Sequence, residues 1–249
     1  MVNNPFSGGP FHAEPPPPPR PSGGEWGISE ALLVLVVFLL AQMGAGYVVS
    51  WALDSISQDS RFVVTTSAIL FSHVVGWGAM WFLLVRWRRL GFRASLALTD
   101  PPTELLAGAF IAGLVLQVLV ALLSLAAPPP PDFASPFQPF VQAGWPGLMA
   151  LGVLALVLAP LLEESLFRGM LLPPLRARLG FPMAALVVTA LFTALHATQT
   201  GTYWPGILGI FICGMVLAWL REDSDSLWPP VIFHAGFNTT AFLATVAFH

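Results

Sequence analysis

Three short clusters of polar residues lie in the second half of this 249-residue chain, inside or beside long apolar runs. They are, in chain order, Glu163-Glu164-x-x-x-Arg168, Phe192-x-x-x-His196 and His234-x-x-x-Asn238. Ionisable side chains in stretches apolar enough to lie in a bilayer are costly, and they usually mark functional sites. We therefore predict that the three clusters meet inside a helical bundle and form a hydrolytic site.

The residue types in the clusters favour hydrolysis by an activated water. A carboxylate beside an imidazole can bind and deprotonate water, and Glu163 and His196 are the predicted pair. A second imidazole and an amide, His234 and Asn238, can donate hydrogen bonds to an oxyanion. Alternatively, Glu163, His196 and His234 can hold Zn²⁺, because two histidines and one glutamate with an open position are a catalytic zinc pattern. The residues alone leave open whether the cofactor is Zn²⁺ or none.

Spacing assigns supporting roles to three further residues. Side chains four apart share one face of an α-helix, and an acid that precedes a base is the favourable order. Glu164 and Arg168 are thus predicted to form an ion pair within their helix, while Glu163 points about 100° away and is free for chemistry. Phe192 shares a face with His196, so its ring is predicted to wall the site.

Composition predicts a membrane protein. Charged residues make up 9% and hydrophobic residues 56% of the chain, whereas soluble domains carry roughly 25% charged residues. The predicted fold class is all-α, a polytopic transmembrane helical bundle. We expect membrane lipids and a peptide or membrane-protein substrate as partners, and no nucleic acid. His73, alone in an early apolar run, is predicted to be hydrogen-bonded to a neighbouring helix.

About seven runs have the roughly 20 mostly apolar residues that cross a bilayer. Their approximate ranges are 28–53, 62–85, 105–126, 146–180, 182–198, 203–220 and 229–248. Breaks are expected in the fourth at Gly169 and Pro173-Pro174, with a stop at Gly180. The site then lies between spans four, five and seven. His234 lies only about five residues from the start of its span. It is therefore expected to lie nearer the membrane surface than Glu163 unless the preceding loop dips inward.

The spans divide the chain into three parts. Residues 1–27 are a proline-rich, disordered cytoplasmic arm, residues 28–144 hold three spans with their loops, and residues 145–249 are the catalytic core.

With seven spans, nine of the ten arginines fall on one side of the membrane and only Arg61 falls on the other. The positive-inside rule then predicts a multi-pass protein of the inner (plasma) membrane, with its N-terminus cytoplasmic and its C-terminus extracytoplasmic.

The three clusters, in this order and with these spacings, resemble the motifs of the CPBP family. This is the CAAX protease and bacteriocin-processing family, also called the ABI family, and it includes the type II CAAX prenyl endopeptidases. The resemblance covers about residues 145–249 and implies an intramembrane protease, either a metalloprotease or a metal-free glutamate-type endopeptidase. By motif position it implies that Glu163 and His196 activate water and that His234 and Asn238 form the oxyanion hole.

Two other functions compete with an endopeptidase. The first is a non-enzymatic membrane immunity or scaffold protein that uses the same fold to bind a partner. The second is a transporter whose Glu and His residues relay protons, for which inverted repeats are typical, and the sequence shows none. Replacing Glu163 by Ala or Gln distinguishes them, because it abolishes the function of a protease and spares that of an immunity protein. The complete set of motif residues favours the hydrolase.

Overall fold

The computed structural model describes residues 26–53, 58–130, 137–196 and 200–247. Across these ranges the chain is helical and contains no β-strand, which confirms the predicted all-α membrane bundle. The predicted proline-rich arm lies outside the described residues except for Trp26 and Gly27. Trp26 is not part of a disordered segment, because its side chain is buried in the bundle.

The long helices of the described ranges coincide with the predicted spans. They are α1 (Ile28–Leu53), α2 (Gln58–Trp81, extended by a π-helical segment Phe82–Trp87), α3 (Thr103–Ala126), α4 (Gly144–Leu179), α5 (Phe181–Leu195), α6 (Trp204–Ser224) and α7 (Trp228–Ala247). Five of them, α1, α2, α3, α4 and α6, are long and apolar enough to cross a membrane. The chain is therefore an integral membrane protein, and the total of seven crossings stays a prediction.

Helix α4 lies at the centre of the bundle. Its segment Ser165–Leu171 is buried along its whole length and contacts α1, α5 and α6. The most extensive pairings elsewhere are α3 with α7 and α1 with α2. Large apolar side chains on the outer faces of the bundle, such as Leu40, Trp51 and Leu125, are exposed. Such faces suit contact with lipid chains, so the polar clusters of α4 are shielded from lipid by the other helices.

The breaks predicted within α4 are wrong. The helix runs continuously through Gly169 and the two prolines. It ends at Gly180, the predicted stop, whose φ is +74°. A π-helical segment precedes the prolines, and π-turns accommodate residues that cannot complete the regular hydrogen-bond ladder. Pro174 lacks the N–H that would bond to the carbonyl of Met170. The indole N–H of Trp26 bonds to that carbonyl instead, at 2.8 Å.

The backbones of α3 and α7 cross in contact at two glycines. A Cβ at Gly113 would lie 2.1 Å from the carbonyl oxygen of Phe233, and a Cβ at Gly236 would lie 2.3 Å from that of Phe110. Neither position therefore has room for a side chain. Because His234 lies between the two α7 contact points, this crossing sets where its ring enters the bundle.

Replacing Gly113 by Ala is expected to destabilise the protein by at least about 2 kcal/mol, since the added methyl forces two backbones apart. Gly108→Ala is the matched control, because it lies on the same helix and a Cβ there meets nothing within 4 Å. That control is expected to be neutral or slightly stabilising, as Ala favours helices over Gly. Thermal unfolding in detergent measures both, and equal melting temperatures for the two variants would contradict the close crossing.

Candidate active site

A cavity of about 340 Å³ opens inside the bundle between α1, α2, α4, α5, α6 and α7. All four predicted catalytic residues line it, namely Glu163, His196, His234 and Asn238. Apolar side chains cover much of the remaining wall, among them Phe137, Phe140, Leu151, Leu154, Phe237 and Phe242. The three sequence clusters therefore do meet at one place, where polar groups stand beside an apolar chamber.

Glu163 and His196 face each other across the cavity. Glu163 projects from α4, and His196 caps the C-terminal end of α5. Their Oε2 and Nε2 atoms are 3.5 Å apart, so the equal depth predicted from the sequence is confirmed. The Nδ1 atom of His196 lies 2.8 Å from the carbonyl oxygen of Phe192. A carbonyl only accepts hydrogen bonds, so Nδ1 carries a hydrogen and Nε2 is the nitrogen that can exchange a proton with Glu163.

His234 joins the pair from α7. Its Nδ1 atom is 2.8 Å from Oε1 of Glu164, and its Nε2 atom is 3.9 Å from Oε2 of Glu163. Since a carboxylate accepts, Nδ1 is the donor and Nε2 faces the cavity. His234 is thus held between the carboxylates of Glu164 and Glu163.

His234 reaches the level of Glu163 because the loop before α7 dips inward, which is the exception that the sequence analysis allowed. Ser226 and Leu227 are fully buried. The Leu227 N–H bonds to the carbonyl of Ala97 at 2.9 Å, and the Ser226 hydroxyl bonds to that of Thr99 at 2.8 Å. These bonds hold the loop inside the bundle, so α7 begins deep and its first turns reach the level of Glu163.

The predicted ion pair between Glu164 and Arg168 is present and fully buried. Arg168 Nη1 lies 3.2 Å from the Glu164 carboxylate, and Arg168 Nη2 donates to the carbonyl of Gly214 at 2.9 Å. The guanidinium carbon also lies 4.7 Å from the ring centroid of Phe192, within the range of a cation–π contact. Arg168 is therefore an interior residue, and counting it with the arginines of the cytoplasmic side was wrong.

Phe192 packs against both imidazoles of the cavity. Its ring centroid is 4.3 Å from that of His196 and 5.9 Å from that of His234. Phe167 meets its other side at 5.2 Å in an edge-to-face contact. The ring is buried and lines the cavity, so it restricts both imidazoles to the orientations described above.

Asn238 bonds to the backbone of α4. Its side-chain nitrogen donates to the carbonyl of Ala155 at 2.8 Å. In a regular α-helix, the carbonyl of Ala155 would accept a hydrogen bond from the N–H of Ala159. Here the N–H of Ala159 bonds instead to the carbonyl of Leu154, in a π-helical segment. The next residue, Pro160, has no N–H to offer. Asn238 therefore satisfies a carbonyl that the chain itself has freed, and its second amide N–H remains for the cavity.

Asn238→Ala is expected to cost about 1–3 kcal/mol of stability, because it leaves the Ala155 carbonyl buried and unpaired. The cost is expected to shrink in a Pro160→Ala background, where residue 160 regains an N–H that can bond to this carbonyl. Unfolding of the wild type, the two single variants and the double variant measures the coupling. An equal cost in both backgrounds would show that Asn238 does not compensate for the proline.

The zinc alternative rests on Glu163, His196 and His234. Among the described residues, no group of three or more His, Cys, Asp or Glu side chains is arranged to hold a metal ion. The two Nε2 atoms do converge on one carboxylate oxygen, and each opposite Nδ1 is fixed by an acceptor, as is usual for metal-binding histidines. Zinc binding stays a prediction, which metal analysis of the purified protein tests.

His73 also lines this cavity, and the sequence analysis missed it. The prediction that it bonds to a neighbouring helix is wrong, because its Nδ1 lies 2.8 Å from the carbonyl of Ile69 in its own helix, α2. One signal was present, namely an ionisable side chain inside a predicted span. His73 has no polar partner at helical spacing, however, so the sequence did not connect it with the other clusters.

Comparisons with known proteins found matches to part of this chain. Residues 145–240 match the family model described as Type II CAAX prenyl endopeptidase Rce1-like. A curated Escherichia coli protein with the name "Uncharacterized 24.3 kDa protein" is 32% identical over 114 residues, which are 44% of this chain and 52% of that protein. The chain thus spans about half the length of this relative. No solved structure matches the chain.

The match begins at α4 and ends within α7, so it includes all three polar clusters and the helices that bring them together. The helices α1 and α2, which complete the cavity, precede it. The family match supports a protease role. Residues 145–240 of this chain are therefore similar to the Rce1-like domain, which supports a protease of the CPBP family.

Proposed function

We propose that this protein is an intramembrane endopeptidase that hydrolyses peptide bonds with a water activated by Glu163 and His196. The observation that carries the proposal is the 3.5 Å approach of Glu163 Oε2 to His196 Nε2 at the wall of one cavity. A carboxylate and an imidazole at this distance can both bond to one water placed between them.

Water attack is the first step. The Glu163–His196 pair takes one proton from the water as its oxygen bonds to the carbonyl carbon of the peptide. The Nδ1–H of His196 stays bonded to the carbonyl oxygen of Phe192 throughout the reaction, so only Nε2 exchanges protons. The product of this step is a tetrahedral intermediate whose former carbonyl oxygen is negatively charged.

The negative oxygen needs hydrogen-bond donors. His234 points Nε2 at the cavity and, with a hydrogen on that nitrogen, donates to the negative oxygen, while its Nδ1 stays bonded to the Glu164 carboxylate. Asn238 supplies the amide N–H that is not used by Ala155. Both donors line the cavity that Glu163 also lines, and both are fixed before substrate binds.

Bond cleavage returns the proton. When the C–N bond breaks, the proton held by Glu163 and His196 moves to the leaving nitrogen, which departs as an amine. The new carboxyl group retains the oxygen of the water, and the pair is ready for another cycle. One water is consumed for each peptide bond, and Glu163 and His196 end in their starting protonation states.

We also propose an inner-membrane location with a cytoplasmic N-terminus and a site that faces the cytoplasm. Arg88 after α2 pairs with Glu30 at the start of α1, and Arg176 near the end of α4 pairs with Glu222 near the end of α6. These pairs support a common end for four helix termini rich in arginine, as the positive-inside rule expects of a cytoplasmic side. Membrane lipids and a membrane-associated peptide are the corresponding partners.

Purified full-length protein in detergent, incubated with a pool of defined peptides in H₂¹⁸O, tests the proposal. Mass spectrometry should find cleaved peptides with ¹⁸O in the new C-terminal carboxyl group. The Glu163→Gln variant, carried through the same purification, controls for contaminating proteases. A folded wild-type protein that cleaves nothing above this control would overturn the endopeptidase assignment.

A further inference from the structure

Helix α2 brings a third imidazole to the cavity. The His73 side chain is only 8% exposed, and Phe38 of α1 packs edge-on against it, with ring centroids 6.3 Å apart. Its Nδ1 atom is 2.8 Å from the carbonyl oxygen of Ile69. Its Nε2 atom is buried and makes no hydrogen bond to any described residue. One nitrogen is therefore anchored, and the other is a buried polar atom without a partner, on a residue that lines the cavity.

The anchoring matches that of His196. Each ring bonds through Nδ1 to the carbonyl four residues earlier in its own helix, at 2.8 Å in both cases. Each is also within electrostatic reach of the Glu163 carboxylate. Fixing Nδ1 in this way leaves Nε2 to face a ligand, a proton or a substrate group. His73 lies outside residues 145–240, so the family match assigns it no role.

The anchored tautomer decides what His73 can bind. With its hydrogen on Nδ1, the neutral ring presents a lone pair at Nε2, which is an acceptor. A buried acceptor left unpaired is costly, so such an atom is expected to find a donor in the working complex. In the proposed reaction, Glu163 and His196 bind the water, while His234 and Asn238 bind the carbonyl oxygen. None of these four accepts a hydrogen bond from the backbone of the peptide.

We propose that His73 is a substrate-binding residue whose Nε2 accepts a hydrogen bond from a peptide N–H beside the cleaved bond. The proposal rests on the endopeptidase function above and names a further residue for it. A bond at this point fixes the peptide backbone relative to Glu163, so part of the binding energy is used to orient the carbonyl for attack. It also favours peptides over molecules that lack a backbone N–H at that position.

Two substitutions separate the nitrogens of His73. His73→Asn keeps a donor near the Nδ1 position and loses the acceptor in the cavity. His73→Gln places an amide near the Nε2 position and can present its oxygen there. Comparing the two variants distinguishes substrate binding from structural support of α2. Thermal unfolding of both variants verifies that each is folded before kinetics are measured.

The test uses a peptide that the wild-type protein cleaves. It also uses ester analogues of that peptide, in each of which one backbone N–H is replaced by oxygen. The N–H of the cleaved bond is left intact. We expect one analogue to lower wild-type kcat/KM about ten-fold, the effect of one lost hydrogen bond. His73→Asn should cleave the parent peptide about ten-fold more slowly and show no further loss on that analogue. His73→Gln should retain the wild-type pattern.

Three outcomes would overturn the inference. The first is a His73→Asn variant as active as wild type on the parent peptide. The second is a loss of kcat/KM in His73→Asn that adds to the loss caused by the ester analogue at every position, which would mean that His73 only supports the fold. The third is a wild-type protein that cleaves no peptide, because the endopeptidase function would then fail and this inference with it. The first two leave the endopeptidase function standing, so the two failures are distinguishable.

Discussion

Replacing Glu163 by Gln is expected to lower kcat/KM for peptide hydrolysis at least about a hundred-fold, the usual contribution of a general base. Gln has the same size but cannot take the proton of the attacking water. Folding should survive, because the Glu163 carboxylate approaches His196 at 3.5 Å and His234 at 3.9 Å, both longer than a good hydrogen bond. Initial rates of peptide cleavage, with the melting temperature measured in parallel, give the two readouts.

Glu222→Gln is the matched control for this experiment. It makes the same chemical change in an ion pair with Arg176 at 2.7 Å, and Glu222 does not line the cavity. A partly exposed pair of this kind contributes little to stability, so both activity and melting temperature should stay near those of wild type. If Glu163→Gln retained wild-type hydrolysis as Glu222→Gln does, Glu163 would not be the base. A function that survives both changes would favour the immunity or scaffold interpretation.

Local periodicity was enough to predict the part of the site that lies within single helices. The Glu164–Arg168 pair follows from a spacing of four on one helix, and the structure contains it. The common depth of Glu163 and His196 follows from their similar distances to the turn at Gly180, which joins two antiparallel helices. Both inferences need only helix geometry, so neither depends on how distant segments pack.

Features that depend on tertiary contacts could not be predicted in this way. The bond from His234 to Glu164 requires that the loop before α7 be drawn inward by Ala97 and Thr99, which are more than a hundred residues away in sequence. The position of His73 at the cavity requires that α2 pack near α4. Neither loop composition nor helical periodicity contains that information.

The proline positions show an intermediate case. Pro160 and Pro174 each remove an N–H from α4, and the sequence analysis predicted a break at Pro173-Pro174 but none at Pro160. Whether the helix breaks depends on whether another group satisfies the freed carbonyls. Asn238 and Trp26 do so from distant parts of the chain, so α4 continues. A break is the right expectation for an isolated segment and the wrong one for this bundle.

Arg168→Met is expected to lower the free energy of unfolding by about 3–5 kcal/mol, because it leaves the Glu164 carboxylate in the protein interior without the Arg168 guanidinium. Both members of the pair are completely buried, so solvent cannot take the place of the lost partner. The folded yield after size-exclusion chromatography and the melting temperature measure the effect. Met fills much of the same space, so the loss reports mainly the missing charge.

The double variant Glu164→Gln/Arg168→Met separates charge from packing. If the stranded carboxylate causes the instability, neutralising Glu164 should restore most of the folded yield, since Gln can still accept the Nδ1 hydrogen of His234. Its activity should nevertheless stay at least about ten-fold below wild type, because a neutral amide bonds to Nδ1 of His234 more weakly than the carboxylate does and so orients that ring less firmly towards the oxyanion. A double variant as unstable as Arg168→Met would instead assign the role of Arg168 to its contacts with Gly214 and Phe192.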